Sequence, residues 1–166
     1  HVRGLPSAYL SPMANLRPNT MKAKLLAGEP AIGCGLIFSS THLVEILAQV
    51  GYDWVFLDCE HGSLTPESVE AMVMASEAAG IIPIVRPPTN AHHEILRVLD
   101  RGAMGVQVPH VNTAADARTA VAAVKYTPLG HRGLGSPRST GYGLLPDRQA
   151  YVDWANRELL VCVQIE

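Results

Sequence analysis

The sequence is poor in charged and in aromatic side chains. Charged residues make up 17% of the chain and aromatic residues 5%, and the formal net charge is −2. Lys and Arg form no block, so the chain lacks the basic surface that binding to nucleic acid or to a membrane surface requires. We therefore expect no nucleic-acid partner and no membrane partner.

Cysteine and long apolar runs are also scarce. Three cysteines lie far apart, at Cys34, Cys59 and Cys162, which argues against a disulfide framework and suits a reducing, cytoplasmic location. No apolar run approaches the ~18 residues of a membrane-spanning helix, and we expect no secretory signal. The chain starts with His1 rather than Met, so we expect it to represent part of a longer protein.

What the sequence does have is apolar character, with 48% hydrophobic residues among 166. That is enough for one domain with its own core. The first twenty residues hold Pro6, Pro12 and Pro18, and we interpret 1–20 as an irregular arm. Residues 21–166 would form the domain.

A strand–helix rhythm runs through the domain. Five continuous apolar runs predict strands, and the segments between them predict helices, with one long loop at 127–146. The predicted strands are 31–38, 54–58, 82–87, 105–109 and 159–166, and the helices are 20–27, 41–50, 66–79, 91–101, 113–125 and 147–156. Because the runs are continuous rather than alternating, they indicate a parallel sheet buried on both faces, hence an α/β fold.

Local signals support the helix ends. Thr65 is a suitable N-cap with Pro66 at the first helical position, and Thr113 with Asp116 has capping-box spacing. Glycines follow three of the helices directly. Two architectures satisfy this pattern, an open doubly wound sheet and a (β/α) barrel; a complete eight-unit barrel needs about 250 residues.

Polar residues stand where the predicted strands end, and parallel α/β folds place their sites at those ends. They are Asp58, Glu60, His61, Arg86, His110, Gln164 and Glu166. A His beside an Asp can act as an acid–base pair, a Glu can ligate a hard cation, and an Arg can hold a carboxylate or an oxyanion. Each could also be the first solvated residue of a loop, and for Glu60 we favour that reading. For His110 we favour a packed, hydrogen-bonded histidine over a catalyst.

Six segments in order resemble the HpcH/HpaI aldolase family of metal-dependent pyruvate aldolases. They are MKAKLLAGEPAIG, GYDWVFLDCEHG, PIVRP, GVQVPHVNTAADAR, YTPLGHRGLG and WANRELLVCVQIE, between Met21 and Glu166. The resemblance implies a (β/α)8 TIM barrel, of which this chain supplies about the first five βα units. The D-x-E-H, V-R-P and V-Q-I-E pieces carry it most specifically, since each lies at the tip of its own strand.

The resemblance also implies roles for single residues. His61 would be the acid–base histidine, oriented by Asp58. Arg86 would bind the pyruvyl oxygen and stabilise the enolate, Gln164 would line the site, and Glu166 would be a metal ligand.

The implied activity is that of a lyase acting on a small-molecule 2-keto acid through a pyruvate enolate. The implied cofactor is a divalent metal, Mg²⁺, with Mn²⁺ or Co²⁺ as alternatives. The implied assembly is a homo-oligomer, a trimer or a hexamer.

Two departures from the family pattern stand out. The family's second metal ligand, an Asp on the next strand, has no counterpart up to Glu166, so we expect the natural protein to continue. His110 replaces an apolar residue, as in the macrophomate synthase branch, which decarboxylates oxaloacetate and couples the enolate; this would make His110 catalytic.

Two other classes compete with a lyase. The chain could be a non-catalytic α/β ligand-binding module or an inactive truncated barrel, which the missing ligand favours. A nucleotide-binding doubly wound sheet would need a Gly-rich turn after the first strand, and Ile37–His42 has none.

Overall fold

The structure is a computed structural model that describes residues 16–166, and these form five parallel strands with intervening helices. The strands are β1 (Gly33–Leu36), β2 (Trp54–Asp58), β3 (Ile82–Arg86), β4 (Gly105–Val108) and β5 (Leu160–Val163). The helices are α1 (Thr20–Leu26), α2 (Thr41–Gln49), α3 (Pro66–Ala79), α4 (His92–Asp100), α5 (Ala114–Val124) and α6 (Arg148–Glu158).

All five predicted strands and all six predicted helices are confirmed within a few residues of their ends. Between α5 and α6, where the sequence indicates only a loop, a 3₁₀ helix covers Arg138–Gly143. Its backbone is left-handed at Gly141 and Tyr142. The sequence of this segment carries no pattern from which a helix with such a backbone could be predicted. Most of the predicted arm, residues 1–15, lies outside the described residues.

The order of the strands decides between the two architectures. The sheet runs β1-β2-β3-β4-β5, so every strand pairs in parallel with the next strand of the chain. A doubly wound sheet reverses its strand order at a switch point, and no reversal occurs here. The fold is therefore part of a (β/α) barrel, with five strands and four complete βα units.

The core lies between the strands and the helices that cover them. Val55 and Leu57 of β2 are fully buried, as is Ile95 of α4, and β3 is buried from Ile82 to Val85. The opposite face of β2 carries Phe56 and, at its end, Asp58. In the register between β2 and β3, Asp58 stands beside Arg86, so the polar ends of these two strands meet.

Capping fixes where the helices begin. At α3 the Thr65 side chain accepts from the Ser68 backbone N–H, and the Ser68 hydroxyl accepts from the Thr65 N–H. Thr113 and Asp116 form the same reciprocal box at α5, which confirms both predicted caps. Within residues 16–166 no helix is both long and apolar enough to cross a membrane.

The amino ends of the strands are closed by polar anchors from the flanking segments. The Asn19 side chain donates to the carbonyls of Met104 and Glu158 at 3.0 and 3.2 Å. Lys125 Nζ donates to the carbonyls of Asn156 and Leu159 at 2.8 and 2.7 Å. The bonds of Asn19 join the end of α6 to the residue before β4, and the bonds of Lys125 join the end of α6 to the end of α5.

Lys125 should make stability depend on alkaline pH. Burial, together with the charge of Lys22, lowers the pKa of Lys125 to about 8, whereas an unfolded lysine titrates near pH ~10.4. Between these values the unfolded chain binds more protons, so the free energy of unfolding rises with pH. Urea unfolding at pH 7.5, 8.5 and 9.5 measures the free energy of unfolding of the wild type and of Lys125→Met. We expect the value for the wild type minus the value for the variant to increase as the pH rises. A difference that is flat or falls with pH would contradict the assignment.

Candidate active site

A cluster of polar side chains lies at the carboxyl ends of β2, β3, β4 and β5. It contains the strand-end residues singled out in the sequence except His61, and it also contains Gln107. Its members are Asp58, Glu60, Arg86, Gln107, His110, Gln164 and Glu166. We refer to this set as the mouth cluster.

Asp58 and Arg86 form the centre of the mouth cluster. Arg86 Nε donates to Asp58 Oδ1 at 2.9 Å and Arg86 Nη2 to Oδ2 at 2.6 Å, a bidentate pair. The Asp58 side chain is 4% exposed and that of Arg86 13%. Two parallel charge-assisted bonds fix the plane of the guanidinium.

The pKa values of the pair follow from this geometry. Burial alone would raise the pKa of Asp58, but hydrogen bonds from Arg86 and from two backbone N–H groups lower it overall. The hydrogen bond to Asp58 raises the pKa of Arg86. Both side chains are therefore charged throughout the neutral range.

Arg86 is also bound on its other side. Its Nη1 donates to Gln164 Oε1 at 3.2 Å and lies 3.1 Å from Glu60 Oε2, without hydrogen-bond alignment to that oxygen. The guanidinium stands 5.4 Å from the centre of the Phe56 ring. Of the five N–H groups of an arginine, three make hydrogen bonds, and one of the other two belongs to Nη1, which stands beside Glu60.

Gln164 links Arg86 to β4 and to the end of the chain. Its Oε1 accepts from Gln107 Nε2 at 2.9 Å, and its Nε2 donates to Glu166 Oε1 at 2.9 Å. The Glu166 backbone N–H donates to the Asn112 side chain at 3.2 Å. One hydrogen-bonded path thus connects Asp58 to Glu166 across four strands.

His110 lies between two carboxylates. Its Nδ1 is 2.7 Å from Glu166 Oε2, and its Nε2 is 3.0 Å from Glu60 Oε1. The residue has a left-handed φ of 56°, which is uncommon outside glycine, and its side chain is 60% exposed. The structural reading of His110 as a packed histidine is therefore wrong.

His61 differs from its expected arrangement. Asp58 Oδ1 accepts from the backbone N–H of His61 at 3.2 Å and of Glu60 at 3.0 Å, and makes no bond to the imidazole. The ring is 73% exposed, with Nε2 4.0 Å from Glu60 Oε1. The expectation that Asp58 orients the His61 ring is wrong, because Arg86 and two backbone N–H groups occupy the carboxylate; Asp58 orients the turn instead.

Two members of the mouth cluster were undervalued in the sequence. Glu60, expected to be a solvated loop carboxylate, has a side chain only 9% exposed and contacts both Arg86 and His110. Gln107 was not singled out, although it is the one polar residue in the strand that runs from Gly105 to Pro109. A lone amide inside an apolar strand was the signal that could have identified it.

Cys59, between Asp58 and Glu60, points away from the mouth cluster. It lines a cavity of about 220 Å³ between α3 and α4 together with Leu64 and Val98. Burial and the charge of Asp58 raise the pKa of this thiol to about 11. The thiol is therefore not a nucleophile at neutral pH.

The donor set suits a hard cation in part. Glu60 Oε2 is buried without a hydrogen bond, and Glu166 is 37% exposed at the rim; carboxylate oxygens are the ligands that Mg²⁺ and Mn²⁺ prefer. Among residues 16–166 no group of three His, Cys, Asp or Glu is arranged to hold a metal. Glu166, with Glu60 behind it, could hold one side of such a site.

Comparison with known proteins gives consistent matches. The sequence model of the HpcH/HpaI aldolase/citrate lyase family matches residues 32–166. The chain is similar to the hydroxypyruvate/pyruvate aldolase of Sagittula stellata, with 39% identity over 153 residues, covering 92% of this chain and 59% of that protein.

Two solved structures share the fold. An HpcH/HpaI aldolase from Desulfitobacterium hafniense DCB-2 has a TM-score of 0.79 and 34% identity, covering 88% of this chain and 56% of its own. Macrophomate synthase has a TM-score of 0.76 and 25% identity, covering 92% of this chain and 55% of its own. The chain thus spans between 55% and 59% of the length of these relatives.

The turn that carries Glu60 and His61 should depend on the absence of a side chain at Gly62. A Cβ there would lie 2.1 Å from the Asp58 carbonyl oxygen and 2.8 Å from that of Ile37, and neither backbone atom can move aside easily. We expect Gly62→Ala to lower the free energy of unfolding by about 1–3 kcal/mol, as overpacking does.

The matched control is Gly133→Ala, where a Cβ meets nothing within 4 Å and the change should stay within about 0.5 kcal/mol. Urea unfolding of both variants measures the two values. Equal effects of the two substitutions would show that the close approach at Gly62 is unimportant.

Proposed function

This chain belongs to the HpcH/HpaI aldolase/citrate lyase family, and on that premise we propose that it carries the active centre of a metal-dependent carbon–carbon lyase acting on 2-keto acids through an enolate. The observation that carries the proposal is the fixed guanidinium of Arg86 in the barrel mouth. Asp58 holds it by two bonds, and two of its five N–H groups make no hydrogen bond within the protein.

In this proposal Arg86 binds the keto oxygen of the substrate and stabilises the negative charge that develops there. An oriented donor acts without reorganising during the reaction, which is why such groups contribute strongly to catalysis. Asp58 is the positioning residue that orients the donor. Gln164 supports the same guanidinium from the other side at 3.2 Å and lines the site.

His61 is proposed as the group that moves a proton. Its ring is exposed at the mouth and is not held by Asp58, so it is free to take a proton from the 4-hydroxyl of a substrate, directly or through water, and to return it in the reverse reaction. Glu60 Oε1 lies 4.0 Å from His61 Nε2.

A divalent cation, Mg²⁺ or alternatively Mn²⁺ or Co²⁺, is proposed as the cofactor, held by Glu166 and supported by Glu60. When bound it supplies a Lewis acid for the carboxylate and keto oxygens of the substrate. The named relative acts on hydroxypyruvate and pyruvate, and we propose 2-keto acids of that size here. That the protein is a homo-oligomer, a trimer or a hexamer, and that it is cytoplasmic remain predictions.

A second candidate reaction is decarboxylation of oxaloacetate with coupling of the enolate. The position of His110 between Glu60 and Glu166 favours it, because the histidine then faces the same mouth as Arg86. The likeness to macrophomate synthase supports this reading. The competing proposal from another class is a ligand-binding module without catalysis.

The enolate step can be tested without choosing the second substrate. The protein is incubated with pyruvate in D₂O and Mg²⁺ or Mn²⁺, and loss of the methyl proton signal is followed by NMR. We expect metal-dependent exchange that EDTA abolishes and that Arg86→Gln slows by about 10²–10³-fold. The control is Arg97→Gln, which changes an exposed arginine of α4 and should leave the rate unchanged.

Because Arg86 neutralises the buried Asp58, circular dichroism and the unfolding midpoint must first show that Arg86→Gln is folded. Arg86→Lys, which keeps the charge but loses the bidentate geometry, is the second variant. Absence of exchange in the folded wild type with metal would reject the lyase proposal and favour the binding module.

His61 should affect carbon–carbon cleavage and not the fold. With a 4-hydroxy-2-keto acid as substrate, we expect His61→Ala to lower the rate of pyruvate release by about 10²-fold or more. The control is His93→Ala, since His93 is 72% exposed on α4 and outside the mouth cluster. Equal rates for the two variants would remove His61 from the mechanism.

A further inference from the structure

A second polar cluster lies at the opposite end of the barrel from the mouth cluster. It surrounds a cavity of about 20 Å³ next to the segments that lead into β4 and β5. Glu77 of α3, Arg132 of the long loop, and Arg138 and Ser139 of the 3₁₀ helix line it. None of these residues takes part in the proposed reaction.

Arg132 is the unusual member of this cluster. Its side chain is 0% exposed, and within residues 16–166 that side chain makes one hydrogen bond, from Nη2 to Asp100 Oδ1 at 2.9 Å. Its guanidinium stands 4.9 Å from the centre of the Tyr126 ring. Nε and Nη1 are buried without a partner, and buried donors of a charged group left unpaired are costly.

The cavity is lined by unused donors. Besides the two N–H positions of Arg132, the Ser139 hydroxyl is buried without a partner. The acceptors nearby are already taken, since both Glu77 oxygens accept from Arg138. A lining of free donors and occupied acceptors selects a ligand that accepts hydrogen bonds.

The charges around the cavity do not balance. Arg132 is paired with Asp100 and Arg138 with Glu77, while Arg17 lies close enough to feel the charges of Glu77 and Arg138. Arg17 Nη1 donates to the Ile81 carbonyl at 3.4 Å, and its Nη2 is buried without a partner. Arg17 does not line the cavity itself, but with it three guanidinium groups stand near two carboxylates. The charge of Glu70 also acts on Arg138, and Glu70 is itself paired with Arg101.

We propose that this cavity is a binding site for one monatomic anion, chloride in solution. Its volume is close to that of a single water-sized particle, which excludes sulfate, phosphate and organic acids. Water could accept from the same donors, but it would leave the extra positive charge uncompensated in a buried place, where charge is expensive. A halide satisfies the donors and balances the charge.

The anion would join separate parts of the chain. Arg132 and Arg138 belong to the connection between α5 and α6. Their partners lie on two other helices, Asp100 at the last position of α4 and Glu77 near the end of α3. Binding to the folded state alone raises stability by mass action. The proposed role is thus to fasten the long loop to the amino end of the barrel.

Thermal unfolding at constant ionic strength tests the proposal in solution. Sodium chloride or bromide is exchanged stepwise for sodium gluconate, whose anion is too large for the cavity. We expect the midpoint of the wild type to rise by a few degrees with halide. Ser139→Ala, which keeps both ion pairs, should need about tenfold more halide for the same rise, and Arg97→Gln should behave as the wild type.

Arg132→Gln should lose the halide dependence, but this buried substitution can also prevent folding. Crystals of the wild type grown or soaked with sodium bromide therefore give an independent measurement, and we expect an anomalous peak within hydrogen-bond distance of Arg132 Nε or Nη1. A midpoint that is the same in all three salts, or a cavity filled by water without an anomalous peak, would overturn the proposal.

Discussion

The bidentate pair between Asp58 and Arg86 is the interaction on which the mouth of this barrel depends. Register places the two residues side by side at the ends of β2 and β3, and burial makes each charge costly without the other. The Asp58 carboxylate also accepts from the backbone N–H groups of Glu60 and His61. One buried carboxylate thus fixes both a guanidinium plane and the turn that follows β2. Glu60 and Gln164 contact Arg86 directly, and the remaining members of the mouth cluster join it through these two side chains.

The two ends of the barrel use charge in opposite ways. At the mouth, the three carboxylates of Asp58, Glu60 and Glu166 outnumber the one arginine, and Glu60 Oε2 is buried without a hydrogen bond, which suits a cation. At the amino end, guanidinium groups outnumber carboxylates and their free groups are buried donors, which suits a permanently held anion. This division agrees with the general placement of chemistry at the carboxyl ends of barrel strands and of stabilising contacts at the amino ends.

Sequence patterns are sufficient to predict the strands and helices, because the signals for these elements lie within short stretches of the chain. The run Trp54–Asp58 is a strand as predicted, and Thr65 caps α3 as its position before Pro66 indicates. The strand order and the partners of each charge depend on register and packing instead. The sequence indicates that Arg86 can hold a carboxylate, but only the structure identifies this carboxylate as that of Asp58. Likewise the side chain of Arg132, in the segment predicted as a long loop, is fully buried, which no spacing in that segment indicates.

Glu166 and His110 place a condition on the proposed metal site. Both Glu166 oxygens are in use, Oε1 by the Gln164 amide and Oε2 by the His110 ring. A carboxylate oxygen has two lone-pair positions, so Oε1 can keep its amide bond and still ligate a cation. Oε2 is flanked by the His110 ring at 2.7 Å, and a cation that shared this oxygen would have to stand beside that ring. The proposed metal site therefore uses Oε1 in preference to Oε2.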